Sequence, residues 1–132
     1  MMAKIPAAFH DLLRTPGTAT LTTNGADGYP QSTALWYHFD GEVIRILMQA
    51  STRKATNLRR DPRCSFILID PNDSHRVIEV RADADLTVEQ GDDRPLSAMI
   101  LANYGTSWDR MSNVDAPRVI ATLRPVRVNT VG

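Results

Sequence analysis

The sequence predicts a mainly β protein, a six-stranded antiparallel barrel carrying a few short helices. Three observations lead there. Apolar and β-branched residues alternate through several short runs. Turn-forming clusters at Asn24–Gly28, Asp40–Gly41 and Pro71–Ser74 punctuate those runs. Helical spacing is confined to short segments. Six strands of this length more readily curl into a small barrel than stay as an open sheet with two bare edges.

From Ile5 to Arg14, Ile5, Ala8, Phe9, Leu12 and Leu13 recur at helical spacing, and Pro16–Gly17 stops the pattern. Residues 18–23 (TATLTT) and 29–40 (YPQSTALWYHFD) read as two strands of a hairpin around the Asn24–Gly28 turn. EVIRILMQ follows the Asp40–Gly41 turn, so three antiparallel strands in succession are expected. STRKATNLRRDP then breaks the rhythm: Ser51 or Thr52 can cap a helix over about residues 52–60, and Pro62 ends it. Arg63–Asp70 and Arg76–Glu89 are strands separated by Pro71–Ser74. Asp92, Asp93, Arg94 and Pro95 open a helix with acids at its positive end, Leu96, Met99, Ile100 and Tyr104 face one way along it, and Gly105 closes it. RVIATLRPVRVNTV is the last strand.

At 132 residues the chain fits one domain, residues 1–132, with a single core. The 15 basic residues balance the 15 acidic ones, so no global field draws it to nucleic acid or an anionic membrane. Any anion site must be local. A lone cysteine, Cys64, forms no internal disulfide framework and no paired zinc motif, and is read as a strand residue facing the core. No apolar run approaches the roughly 20 residues of a bilayer span, and the first residues lack a secretory core. A reduced, cytoplasmic setting is expected.

Residues 51–63, STRKATNLRRDPR, gather five cations and one carboxylate. A helix starting near Thr52 points its free first-turn amides outward at a positive dipole end, and Arg53 and Lys54 add full charges beside them. That is a phosphate cradle. Asn57 follows Lys54 by three residues and can donate to the same anion, as can the Ser51 and Thr52 hydroxyls. Two other readings compete: a solvated basic face, with Arg59 and Arg60 at the negative dipole end, and a nucleic-acid patch, which neutral total charge disfavours.

The hairpin followed by YPQSTALWYHFDGEVIRI, then MQASTRKATNLRRDPR, then CSFILID, in that order, resembles the split-barrel flavin- and deazaflavin-binding superfamily, called pyridoxamine 5'-phosphate oxidase-like, and in particular its short members that use coenzyme F420. With the terminal RVIATLRPVRV the resemblance spans most of the chain. It implies an FMN-binding type of split barrel whose helix after the third strand binds the cofactor's ribityl phosphate. Carried onto this sequence, it has Arg53 and Lys54 grip the phosphate, Ser51 and Thr52 cap it and Asn57 support it. Gln31, Ser32 and Thr33 would lie near the ring, and Met48, Gln49 and Ala50 would wall the path to the phosphate. It further implies a homodimer, with Arg118 reaching the neighbouring subunit's cofactor. Pyridoxamine oxidases proper are longer and carry a C-terminal Arg and His signature; RPVRVNTVG has no His, so pyridoxamine phosphate is rejected as substrate. F420 is preferred to FMN because Arg59, Arg60 and Arg63 offer charge for an acidic tail.

No hydrolytic triad, metal-ligand cluster or P-loop stands in the sequence. His10, His38 and His75 are read as surface or satisfied histidines. A cofactor that carries its own chemistry needs no such groups, only positioning and exclusion of water. Trp36 and Tyr37 alternate, so one of them can line a ligand pocket and the other the core. Trp108 and Arg110 are candidates for a substrate rim or a loop anchor. The leading reading is an F420-dependent oxidoreductase passing hydride to an unsaturated or conjugated small molecule. An FMN-dependent enzyme of the same fold, a non-catalytic F420 or flavin carrier, and an anion-binding module are the alternatives.

Overall fold

The computed structural model describes residues 2–91, 93–107, 110–111 and 115–132. In chain order, a 3-10 turn at Ala7–Phe9 leads into α1 (His10–Arg14), β1 (Ala19–Asn24), β2 (Pro30–Leu35), β3 (His38–Phe39), β4 (Ile44–Gln49), α2 (Arg53–Arg60), β5 (Arg63–Asp70), β6 (Asp73–Glu89), α3 (Pro95–Asn103) and β7 (Arg118–Val131). The strands form one antiparallel sheet in the order β2-β1-β5-β6-β7-β4-β3.

Seven strands replace the expected six because the run 29–40 divides at Trp36–Tyr37. There the backbone leaves the ladder for side chains of the α3 end: Tyr37 N–H donates to the Tyr104 hydroxyl at 3.1 Å, and Tyr37 C=O accepts from the Asn103 amide at 3.4 Å. The consequence is topological. β2 and β3 occupy opposite ends of the strand order, yet only Trp36 and Tyr37 separate them, a link of about 10 Å at most. The sheet therefore curls until its two edges approach, giving a split barrel. The β1–β2 hairpin forms as expected, but β4 does not follow it as a third neighbour; β4 pairs with β3 and β7 instead.

The turns follow from local chemistry. In the β1–β2 turn, Gly25 N–H donates to Tyr29 C=O at 2.8 Å, and a Cβ at Gly25 would stand 2.6 Å from that oxygen, so no side chain fits. At the next turn Asp40 accepts from the amides of Glu42 and Val43, each at 2.9 Å, while Gly41 takes a φ of 102°. The β5–β6 turn is shorter than the sequence suggested: Asp73 and Ser74 already belong to β6, as does His75.

Alternation buries one face of each strand: Ala19, Leu21 and Thr23 in β1, Ile44, Ile46 and Met48 in β4, Cys64, Phe66 and Leu68 in β5. These meet Leu12 and Leu13 of α1 and the fully buried Tyr37, whose ring packs edge-on against Phe66 at 5.2 Å. The N-terminal helix is shorter than the Ile5–Arg14 pattern, and Arg76 ties it down by bonding Asp11 at 2.7 Å, Asp70 at 3.2 Å and Ala8 C=O at 2.7 Å. β7 begins with four buried residues, Arg118–Ala121, because the core covers one side and α3 packs against the strand as well.

The α3 start differs from its expected form. Asp92 lies outside the described residues, and Asp93 is exposed. The capping acid is Glu89 at the end of β6: its buried carboxylate accepts from Leu96 N–H at 3.0 Å, Ser97 N–H at 2.8 Å and the Ser97 hydroxyl at 2.5 Å. The helix buries Ser97, Ile100 and Leu101, while Leu96 and Met99 are only half-buried. Among the described residues no helix is long and apolar enough to cross a membrane.

Candidate functional site

The helix α2 is set by its first and last turns. Thr52 is the cap: its hydroxyl accepts from Ala55 N–H at 3.4 Å and donates to Gln49 C=O at 2.7 Å. Ser51, the other capping candidate, is exposed. At the far end Asp61 N–H closes on Asn57 C=O at 2.8 Å before Pro62. Ala55, Asn57 and Leu58 form the buried face. The amides of Arg53 and Lys54 find no acceptor among the described residues, as the first turn of a helix requires.

Arg53 and Lys54 are neighbours in sequence but not in space. A helix rotates about 100° per residue, and the two side chains line separate hollows. Lys54 joins Thr52, Met48, Gln49 and Arg118 around a groove of about 510 Å³, completed by Leu35, Trp36, Leu47, Ile100, Leu101 and Met111. Arg53 joins Gln31, Thr56, Asn57, Arg60 and the residues 25–30 turn around a second hollow of about 460 Å³. The first groove has two cations and no carboxylate among its lining residues. Burial lowers the Lys54 ammonium from its usual value, and it has no ion-pair or hydrogen-bond partner among the described residues. Burial likewise lowers Arg118, with Arg94 nearby adding repulsion.

A family comparison bears on this arrangement. The model of the pyridoxamine 5'-phosphate oxidase family matches residues 5–132. The chain belongs to that family. Among solved structures, an F420 reductase is 26% identical with a TM-score of 0.81, covering 95% of this chain and 98% of its own. A conserved hypothetical protein of Mycobacterium tuberculosis is 28% identical with a TM-score of 0.75, covering 98% of this chain and 86% of its own. A haem storage protein of Vibrio cholerae shares the fold alone, at 19% identity and a TM-score of 0.68 over 98% of this chain and 96% of its own. The pyridoxamine 5'-phosphate oxidase fold thus hosts more than one ligand, and the residues of the grooves must argue which one suits this member.

The structure sorts the residues named from the sequence. Met48, Gln49, Thr52, Lys54 and Arg118 share one groove, and Arg118 lines the groove of its own chain. Ala50 is half-buried beside the core and joins Pro117 C=O through its N–H at 3.0 Å. Gln31 and Thr33 share the inward face with Thr23 and Leu21, whereas Ser32 is on the opposite face, bonded to the Thr22 hydroxyl at 2.8 Å. Ser32 therefore does not sit with its two neighbours in sequence. Asn57 also departs from its expected part. Its amide donates to Thr23 Oγ1 at 3.0 Å and Gln31 Oε1 at 3.3 Å, so its N–H groups serve the helix seat rather than an incoming anion.

The downstream cations are occupied locally. Arg63 pairs with Asp61 at 2.8 Å, and Arg60 bonds Asn24 C=O at 2.5 Å and Asn57 Oδ1 at 3.2 Å. Hydrogen bonds from Arg63 and Asn24 hold the Asp61 carboxyl well below the usual range. Arg110 is exposed and is not among the groove-lining residues; Trp108 lies outside the described residues. Of the aromatic pair, Tyr37 goes to the core and Trp36 to the groove. Leu35, Leu47, Ile100, Leu101 and Met111 were not singled out in the sequence as site residues. Apolar periodicity marks them as packing residues, and only the meeting of β2, β4 and α3 turns them into a groove wall. A larger concavity of about 870 Å³ mixes Asp61 and Asp83 with Arg63 and Arg81 and contains none of the sequence-derived site residues.

Proposed function

We propose that the protein binds coenzyme F420 and acts as an F420-dependent reductase of a small unsaturated or conjugated molecule. The observation that carries this reading is the groove in which Lys54 and Arg118 bring positive charge, Trp36 brings an aromatic face, and no lining carboxylate opposes an anion. A phosphate beside Lys54 would recover the cost of burying that ammonium, and the unpaired first-turn amides of α2 point such a group toward the helix start. Leu35, Leu47 and Met48 offer an apolar bed for a flat ring. The likeness to an F420 reductase over nearly the whole of both chains supports the choice.

When bound, the deazaflavin supplies the hydride. The chain's own part is binding, orientation and exclusion of water: Lys54 holds the anionic end, Thr52 fixes the helix that presents Lys54, and Ile100 and Leu101 of α3 close the apolar side. We further take the working unit to be a homodimer in the cytoplasm. One observation favours a second reading, a non-catalytic F420 or flavin carrier: the groove lining contains neither a carboxyl nor an imidazole to deliver a proton.

The deciding experiment is a titration of cofactor-free protein with F420 and, separately, FMN, using wild type and Lys54→Ala. Selective F420 binding that weakens in the variant supports the proposal; preferential FMN binding moves the protein to the flavin reading, and binding of neither ends both. An acceptor screen with reduced F420 then separates a reductase from a carrier.

A further inference from the structure

We propose that Trp36, backed by Tyr104, is the seat of a second ligand beside the cofactor, a planar conjugated small molecule carrying an anionic group. The proposal rests on the cofactor reading for its enzymatic meaning but on separate residues for its geometry.

Trp36 is 44% exposed, which is unusual for a large aromatic side chain that the core could have absorbed. Its indole is nevertheless not loose. One face stacks on the Tyr104 ring with centroids 4.4 Å apart and planes 4° from parallel. Tyr104 is in turn fixed by its hydroxyl, which donates to Gly17 C=O at 2.6 Å and accepts from Tyr37 N–H at 3.1 Å. Burial raises that phenol above its usual value, so it keeps its proton and its donor role. The division of the strand at Trp36–Tyr37 thus builds a rigid aromatic shelf whose backing comes from the end of α3.

The shelf lines the same groove as Lys54 and Arg118. Leu35 and Leu47 give apolar contact, and Met111 gives a polarisable one suited to a ring edge. A flat π-system can stack on an indole held in place without the entropy cost of fixing it. The absence of any carboxylate among the lining residues selects for an anionic substituent over a cationic one. A second ligand of this class fits the demands of hydride acceptance, since conjugation both flattens the molecule and lowers the energy of the electron-accepting orbital.

Binding of 2-naphthoate to the F420-loaded protein, followed by calorimetry, tests the shelf, with F420 affinity measured separately on each variant. Trp36→Leu should weaken 2-naphthoate roughly tenfold, the effect of one aromatic stacking contact, and change F420 affinity by less than about twofold. Tyr104→Leu should weaken 2-naphthoate as well, and Tyr104→Phe, which keeps the stacked ring, should restore most of it. The uncharged 2-naphthamide should bind less well than 2-naphthoate. No 2-naphthoate binding to wild type, unchanged binding to Trp36→Leu, or an equal loss of F420 affinity in that variant would overturn the proposal, the last by assigning the shelf to the cofactor. Trp36-dependent naphthoate binding in a protein that binds no F420 would leave the shelf standing and remove the cofactor reading instead.

Discussion

The Asn57 carboxamide donates to the Thr23 hydroxyl at 3.0 Å, across 34 residues of chain, and so fastens α2 to β1. The same amide reaches Gln31 of β2 at 3.3 Å, and its oxygen accepts from Arg60 at 3.2 Å. Asn57 is 3% exposed, so each of these bonds replaces water that cannot enter. The helix that carries Arg53 and Lys54 is thereby held on two strands at once.

Replacing Asn57 by Leu keeps the volume but strands Thr23 and Gln31. The expected cost is about 2 kcal/mol, within the range for a buried polar group deprived of its partner. Urea unfolding measures it. Retention of full stability in Asn57→Leu would show that water or rearrangement satisfies both groups, and the account of the helix seat would be wrong.

A second prediction concerns Lys54. Its ammonium is already less favoured than in water, because burial lowers its value from 10.5. An anion bound beside it stabilises the charged form. Anion affinity should therefore begin to fall at a lower pH than an exposed lysine would allow, and the fall should vanish in Lys54→Arg, whose guanidinium keeps its charge. Titration with F420 across the alkaline range reads this directly. A wild-type profile superimposable on that of Lys54→Arg removes Lys54 from the site.

Much of this architecture is legible in the sequence because strands advertise a buried face by alternation. Ala19-Leu21-Thr23 and Ile44-Ile46-Met48 needed no partner to be recognised. The division at Trp36–Tyr37 was not legible, because its causes, Tyr104 and Asn103, lie 67 and 66 positions away. Glu89 escaped for a related reason: local rules place a cap just before its helix, whereas this acid comes from the end of a strand. In the site, the basic helix start was readable from residue type and spacing. The separation of Arg53 from Lys54, and of Ser32 from Gln31 and Thr33, follows from helix rotation and strand alternation once the elements are placed.

The Glu89 cap makes a third prediction. Glu89→Ala leaves the first-turn amides of Leu96 and Ser97 and the Ser97 hydroxyl without their acceptor in a buried place. A loss of about 2 to 4 kcal/mol is expected, compounding a lost cap with unsatisfied donors. Glu89→Gln, which retains one good acceptor, should lose less. Hydrogen exchange at Leu96 and Ser97 should accelerate in Glu89→Ala beyond the change in β1; equal acceleration everywhere would mean that the cap acts only through global stability.

The last prediction is set by the buried thiol. Burial, with repulsion from Asp83 and Asp61, pushes Cys64 up to about 12. Its unfolded value is about 8.5, so between the two the folded state keeps a proton that the unfolded state has released. Unfolding is then favoured by rising pH: this contribution is complete below about pH 8.5 and is lost progressively toward the folded value. Tyr37, also raised by burial, acts in the same direction only above about pH 10, where an unfolded tyrosine ionises. Urea midpoints at pH 7.5 and 9.5 therefore isolate the cysteine. Wild type should lose stability over that interval, and Cys64→Ala, less stable at pH 7.5 because of the space it leaves, should lose less of what remains. Thiol labelling of folded wild type should be slow at both pH values and fast in urea. Parallel pH slopes for the two proteins, with rapid labelling of the folded chain, would place the thiol in contact with solvent and refute its role in alkaline unfolding.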